Sequence, residues 1–281
     1  MPVNAIGLIR KMRGGAQAHL LECDDGAFYV VKFRNNPQHR RVLVNEWISS
    51  VFLRHLQITA PETAIVNLSP EFLEATPEVS MQLGSHHVRP EPGWHFGSQC
   101  PGDPSRMAVY DFLPDVLLGK VANATEFPGV FAFDKWMGNA DARQAIFFRA
   151  RLRPTPAPDA GADENFRVGF LAQMVDHGYV FDGPHWKFDD SPLRALYFRP
   201  SVYSRVRSWD DFQPWLDRIV HFPEEIIDDA LKQTPPAWIA EDDEALQRLL
   251  RTLMHRRKRV PDMIREAAAG TTNPFPNWRQ R

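Results

Sequence analysis

The apolar run Tyr29-Val30-Val31 is closed by a lysine, Lys32, and resumes at Phe33. A lysine set in a strand of this kind constrains the fold, because an ammonium taken out of water needs an anion beside it. The chain around it supplies a candidate. Three short runs, 6–12, 18–22 and 27–33, are separated by the turns Arg13-Gly14-Gly15-Ala16-Gln17 and Asp24-Asp25-Gly26, which predicts an antiparallel meander. After Asn35-Asn36-Pro37 the spacing of Val42, Leu43, Trp47, Ile48, Val51, Phe52 and Leu56 predicts one helix, and Glu46 lies on it. A strand lysine facing a helix glutamate gives a fixed cation in an otherwise apolar sheet.

Further along, residues 62–68 read as a strand and 70–75 as a short helix. The Gly-, Pro- and His-rich stretch 84–103 reads as an irregular junction between two lobes. Residues 109–133 read as mostly helical, interrupted at Pro114 and Pro128. Strands are expected at 146–148 and 168–171, joined by a Pro/Ala-rich mobile loop at 153–162. Helices are expected at 211–220, 223–232 and 241–256, with Pro261 opening a last one and the tail after Gly270 fraying. The fold class expected is therefore α+β, with a small N-terminal antiparallel sheet plus one helix (residues 1–100) and a larger, mostly helical C-terminal lobe (101–281).

Composition excludes several functions. With 33 Lys and Arg against 35 Asp and Glu, the net charge of -2 offers no global field for nucleic acid or an anionic membrane. No apolar run approaches the length of a membrane span. The two cysteines, Cys23 and Cys100, have no metal-ligand spacing, and a reducing cytoplasm is the expected location. His86, His87 and His95 lack the spacing and the carboxylates of a metal site. The run His255-Arg256-Arg257-Lys258-Arg259 is read as a solvated helix end whose cations complement the dipole.

Two acidic segments point to chemistry: Phe133-Asp134-Lys135-Trp136-Met137-Gly138-Asn139-Ala140-Asp141-Ala142-Arg143-Gln144 and Met174-Val175-Asp176-His177-Gly178. Carboxylates beside small residues at the rim of a sheet suit Mg²⁺ and a reacting phosphate. Lys32 paired with Glu46 is how a protein-kinase fold aims one cation at the phosphates of ATP. Gly14, Gly15, Ala16 and Gln17 form a turn whose backbone N–H groups can approach phosphate oxygens. In the first acidic segment two registers are open. Either Asp134 is the base and Asn139 a metal ligand, or Asp141 is the base and Gln144 the ligand at the entrance of the next strand, the register preferred here. Asp176, at the tip of an apolar strand and two residues before Gly178, has the form of a metal-binding Asp-x-Gly. His177 beside it is placed to contact phosphate or to fix the turn.

The order of these features resembles the HipA-like serine/threonine kinases, with a Trp-x-x-Asn-x-Asp loop at Trp136, Asn139 and Asp141, an Asp-His-Gly at 176–178, and a match running from about Gly7 into the helical tail. The resemblance implies a bilobal protein-kinase fold that binds ATP and Mg²⁺ and phosphorylates a hydroxyl, most often on a protein substrate. By position it implies a Lys32–Glu46 ion pair, Asp141 as catalytic base and Asp176 as Mg²⁺ ligand. It also exposes a departure: the family places an Asn a few residues after the catalytic Asp, where this chain has Ile146, and Gln144 is the nearest amide. The alternatives are a nucleotide-binding pseudokinase or scaffold and a small-molecule kinase. The helix-turn-helix partner of some relatives has no counterpart in this chain, so direct DNA binding is not implied.

Overall fold

The computed structural model describes residues 1–152, 166–191 and 194–279. Strands β1 (Val3–Lys11), β2 (His19–Cys23) and β3 (Phe28–Lys32) lead into helix α1 (Arg41–Leu56). Strand β4 (Thr63–Leu68), helix α2 (Pro70–Ala75), the hairpin strands β5 (Met81–Leu83) and β6 (His86–Val88), and strand β7 (Gly93–Gln99) follow. β1, β2, β3, β7 and β4 close into a small barrel in that order. The meander is antiparallel as expected, but closure needs one parallel pairing, β1 on β4 with Val3 opposite Val66.

The stretch 84–103 is not irregular throughout. It holds β6 and β7, and β7 is the strand that joins the two halves of the barrel, pairing with β3 (Lys32 opposite Phe96) and with β4 (Ala64 opposite Gly97). Its glycines disguise it, since glycine weakens strand propensity. Gly97 is required by close approach: a Cβ there would lie 2.5 Å from Val66 Cγ2 and 3.3 Å from Tyr29 Cβ. Leu21, Cys23, Tyr29, Val31, Phe33, Val66 and Leu68 fill the barrel, capped by Phe72 and Met81.

The rest of the described chain comprises β8 (Val109–Tyr110), α3 (Asp115–Leu118), α4 (Glu126–Met137), β9 (Gln144–Leu152), β10 (Arg167–Val175), α5 (Trp215–Val220), α6 (Glu224–Gln233), α7 (Pro236–Ile239), α8 (Asp243–Arg256) and α9 (Val260–Ala269). Residues 109–110 pair with β9 rather than beginning a helix. Pro128 does not interrupt α4, because it sits in the first turn, where no intrahelical partner for its missing N–H is needed. β9 and β10 are longer than expected and pair antiparallel along their whole lengths. The Pro/Ala-rich loop at 153–162 lies outside the described residues.

One large core joins α1 to α4, α8 and α9. α1 is buried on nearly every side, its polar Asn45, Glu46, Ser49 and Ser50 included. Its Leu43, Ile48, Phe52 and Leu56 therefore pack with the helical half of the molecule while Glu46 faces the barrel's lysine.

Two surface expectations fail at single side chains, one aromatic and one guanidinium, that find partners in the interior, whereas His255, Lys258 and Arg259 are exposed as expected. Phe275 in the tail is fully buried, with its ring centroid 5.4 Å from that of Phe131 and 5.5 Å from that of Phe212, so the tail packs instead of fraying. Arg256, within the supposedly solvated basic run, is 5% exposed. It donates to the Lys135 and Trp136 carbonyls at 3.1 and 3.2 Å and to Asp190 at 2.6 Å.

Candidate functional site

Lys32 ends β3 at the barrel wall, and Glu46 reaches it from the second turn of α1. The ammonium donates to Glu46 Oε1 and, at 2.8 Å, to Asp176 Oδ1. Exposure grades across the trio: the side chains of Lys32 and Glu46 are 11% and 3% exposed, that of Asp176 39%. Burial favours loss of the lysine's proton, but the two carboxylates outweigh it and hold the ammonium above its usual range. The Lys32 charge in turn holds the Asp176 carboxyl below the usual carboxylate range.

Asp176 follows the last residue of β10, at φ 60, a left-handed backbone that bends the chain out of the sheet. The β9–β10 register sets Gln144 opposite Val175, and Gln144 Nε2 donates to Asp176 Oδ2 at 3.0 Å. One carboxylate oxygen thus faces the lysine and the other an amide. Gly178 closes the turn against α1, where a Cβ would meet Val42 Cγ1 at 2.6 Å, Glu46 Oε1 at 3.4 Å and Lys32 Nζ at 3.6 Å. The glycine of Asp-His-Gly is therefore a packing requirement.

Asp134 and Asp141, rivals in the sequence, have opposite environments. Asp134 is fully buried on α4, and its two oxygens are taken by Arg143 at 2.6 and 2.8 Å, with Asn139 Nδ2 adding a third bond at 3.1 Å. Neither oxygen is left for a substrate, which removes the register with Asp134 as base. Asn139 is spent in the same cluster, and its Oδ1 accepts from the Asp141 N–H at 3.1 Å. Asp141 itself is exposed, and its carboxylate accepts only the neighbouring Ala142 N–H at 2.8 Å among the bonds described. Ala140 N donates to Tyr179 O at 2.9 Å, tying this loop to the segment after Asp-His-Gly.

Arg143, to which the sequence reading gave no role, couples the two acidic segments. Besides Asp134 it donates to Val175 O at 2.7 Å and to His177 Nδ1 at 3.1 Å. Since arginine only donates, Nδ1 is the acceptor, and Nε2 carries the proton donated to Met174 O at 3.1 Å. Burial and the nearby Arg143 push the histidine's pKa well below its usual value, so it is a neutral strut fixing the turn. An arginine two residues from the expected base was visible in the sequence, but its partner nine positions upstream was not distinguishable from a catalytic acid.

The Gly14-Gly15-Ala16-Gln17 turn joins β1 and β2 as expected, with Gly14 at φ 120 and Gln17 at φ 49. The Gln17 side chain is tied to β5, donating to Gln82 O and accepting from Gln82 N, both at 2.6 Å. It acts as a side-chain bridge to the β5–β6 hairpin, leaving the backbone of Gly14 to Ala16 as the part of the turn suited to phosphate.

As a metal centre the site is sparse. Among the described residues no group of three His, Cys, Asp or Glu could hold an ion. Asp176 with Gln144 is a two-residue oxygen set, which fits Mg²⁺, an ion commonly held by one or two protein ligands together with substrate phosphates.

A barrel lysine, a helix glutamate and an Asp-His-Gly turn meeting across two packed halves define the protein-kinase fold. Two solved structures share it: the crystal structure of the Golgi casein kinase with Mn/ADP bound, with a TM-score of 0.50 at 12% identity, and a crystal structure of the Golgi casein kinase, with a TM-score of 0.51 at 14% identity. Each match covers 96% of this chain and 74% of the other. Residues 5–146, half of the sequence, match the family model described as HipA-like kinase. The chain belongs to that family, and so to the phosphotransferases of kinase fold; the matched span includes Lys32, Glu46, Asp141 and Gln144 and stops before Asp176. No curated protein sequence matches it. Among the described residues no helix is long and apolar enough to cross a membrane.

Proposed function

We propose that this protein is an ATP- and Mg²⁺-dependent kinase that phosphorylates a serine or threonine hydroxyl on a protein. The observation that carries the reading is the convergence of Lys32, Glu46, Asp176 and Gln144 from four separate elements. Lys32, oriented by Glu46, is the cation for the nucleotide phosphates, and the backbone of Gly14 to Ala16 covers them. Asp176 and Gln144 are the residues that would hold Mg²⁺. Bound Mg-ATP supplies the electrophilic phosphorus and the neutralising charge. Asp141, exposed and held by the Asn139 bond to its N–H, accepts the proton of the acceptor hydroxyl. In this scheme residues 1–100 are the ATP-binding lobe and 101–281 the catalytic and helical lobe. Cys23 and Cys100 are both free thiols, which suits a cytoplasmic setting.

The test is incubation with γ-labelled ATP and Mg²⁺, followed by mass spectrometry for phosphoserine or phosphothreonine on the protein. Wild type transfers label, and Asp141→Ala lowers transfer by about 10²- to 10⁴-fold while keeping its nucleotide affinity. Equal turnover by both proteins refutes the assignment of Asp141.

A nucleotide-binding pseudokinase is the second reading, supported by Ile146 and by the Gln144 amide already bonded to Asp176. A melting temperature raised by Mg-ATP without label transfer is its signature.

A further inference from the structure

The residue beside Glu46 has no part in the scheme above, yet it makes the densest set of contacts between α1 and the segment that carries Asp176. Asn45 is fully buried. The two N–H groups of its Nδ2 serve three backbone carbonyls of one loop, one N–H being shared: Gly178 at 2.8 Å, Val180 at 3.1 Å and Gly183 at 3.0 Å. Its Oδ1 accepts from the Trp186 indole N–H at 2.9 Å. A single amide therefore satisfies both ends of the loop that runs from Asp-His-Gly to Trp186.

That loop needs such support. Asp176, Phe181, Asp182 and Trp186 hold φ of 60, 58, 57 and 51, left-handed values that non-glycine residues adopt only when their surroundings impose them. Its inward carbonyls have no sheet or long helix to pair with, so removing their donor leaves them buried and unsatisfied. Arg41, one turn earlier on α1, adds a second strap: it donates to Pro184 O at 2.8 Å, lies 4.3 Å over the Trp186 ring and pairs with Asp242.

We propose that Asn45 is a positioning residue that locks the 178–186 loop onto α1, so that Glu46 and Asp176, carried by these two elements, hold Lys32 at a fixed spacing before nucleotide arrives. α1 and the Asp-His-Gly loop then move as one body. The spacing of cation and metal ligand is set by this amide and not by nucleotide. The consequence for Mg-ATP rests on the phosphotransfer reading above; the locking of the loop does not.

The experiment compares full-length wild type, Asn45→Ala and Trp186→Phe by amide hydrogen exchange and by Mg-ATP affinity. Phe275→Leu, in the C-terminal aromatic cluster, controls for plain loss of stability. In Asn45→Ala, exchange over 177–186 rises about tenfold while β2 and β3 stay protected, and Mg-ATP binds about tenfold more weakly. Trp186→Phe keeps an aromatic six-membered ring at the site but removes the N–H that orients Asn45 together with the five-membered ring that carries it, and it shifts both readouts in the same direction by about threefold. Phe275→Leu moves neither selectively. The proposal is overturned if loop exchange in Asn45→Ala equals wild type, or if the loop loosens with Mg-ATP affinity unchanged. Should Asn45→Ala fail to fold, Trp186→Phe decides by the same criteria. Wild type that does not bind Mg-ATP refutes the kinase reading instead, and the exchange measurement alone then decides the lock.

Discussion

Two ionic clusters lie on either side of the same turn, and they are built for opposite purposes. In Asp134–Arg143 both side chains are fully buried and every carboxylate oxygen is matched by a guanidinium or amide N–H. In Lys32–Glu46–Asp176 the pairing ends in a carboxylate that is 39% exposed and shares its second oxygen with an exposed glutamine. The first cluster is closed to ligands and the second is open on one side. The closed cluster has a single carboxylate and the open one two; what separates structure from site is which oxygens remain reachable by a ligand.

That contrast breaks first at Arg143. Arg143→Met strands a buried Asp134 carboxylate, and unfolding stability should fall by about 3–5 kcal/mol. The double variant Asp134→Leu, Arg143→Met should recover part of it in thermal melting, because an apolar pair needs no desolvated charge but still leaves Val175 O, His177 Nδ1 and Asn139 Nδ2 without these partners. A single variant that melts like wild type would mean the cluster is not structural.

At the open cluster the loss should appear in ligand binding instead. Asp176→Ala leaves Lys32 paired with Glu46, so melting changes little, whereas titration calorimetry should show Mg-ATP bound at least about tenfold more weakly. A large drop in melting temperature with intact binding would reverse the roles of the two clusters.

The smallest effect is on acid sensitivity. Lys32 holds the folded-state pKa of Asp176 below its unfolded value, so the stabilisation is complete above about pH 4 and fades as pH falls through the depressed value. Lys32→Met removes the main cause. Carboxyl NMR should then show Asp176 protonating at higher pH than in wild type; an unchanged titration would show that Lys32 does not govern it.

Much of the open cluster was legible in sequence because its parts are local signals. A lysine inside Tyr29-Val30-Val31, a glutamate on an apolar helix and an Asp-x-Gly after an apolar strand each stand out from their neighbours. Arg143 and Asn45 do not, since a polar residue in a loop or on a helix carries no mark of the carbonyls it will meet in three dimensions. β7 was missed for a related reason: Gly97 reads as loop until the Val66 and Tyr29 side chains that crowd it are in place. The tail failed similarly, its Phe275 and Trp278 anchored by rings more than sixty residues away in sequence.

Outside residues 81–110 the sequence by itself determined most of the element types and their order, and it picked out the residues that meet at Lys32, because hydrophobic period and turn chemistry act over a few neighbouring positions. Only the tertiary structure decided that Asp134 is a buried strut while Asp141 stays open, that β7 closes the barrel, and that α1 belongs to the larger core. Those outcomes depend on contacts between distant segments, where burial, not residue type, sets what a charge can do.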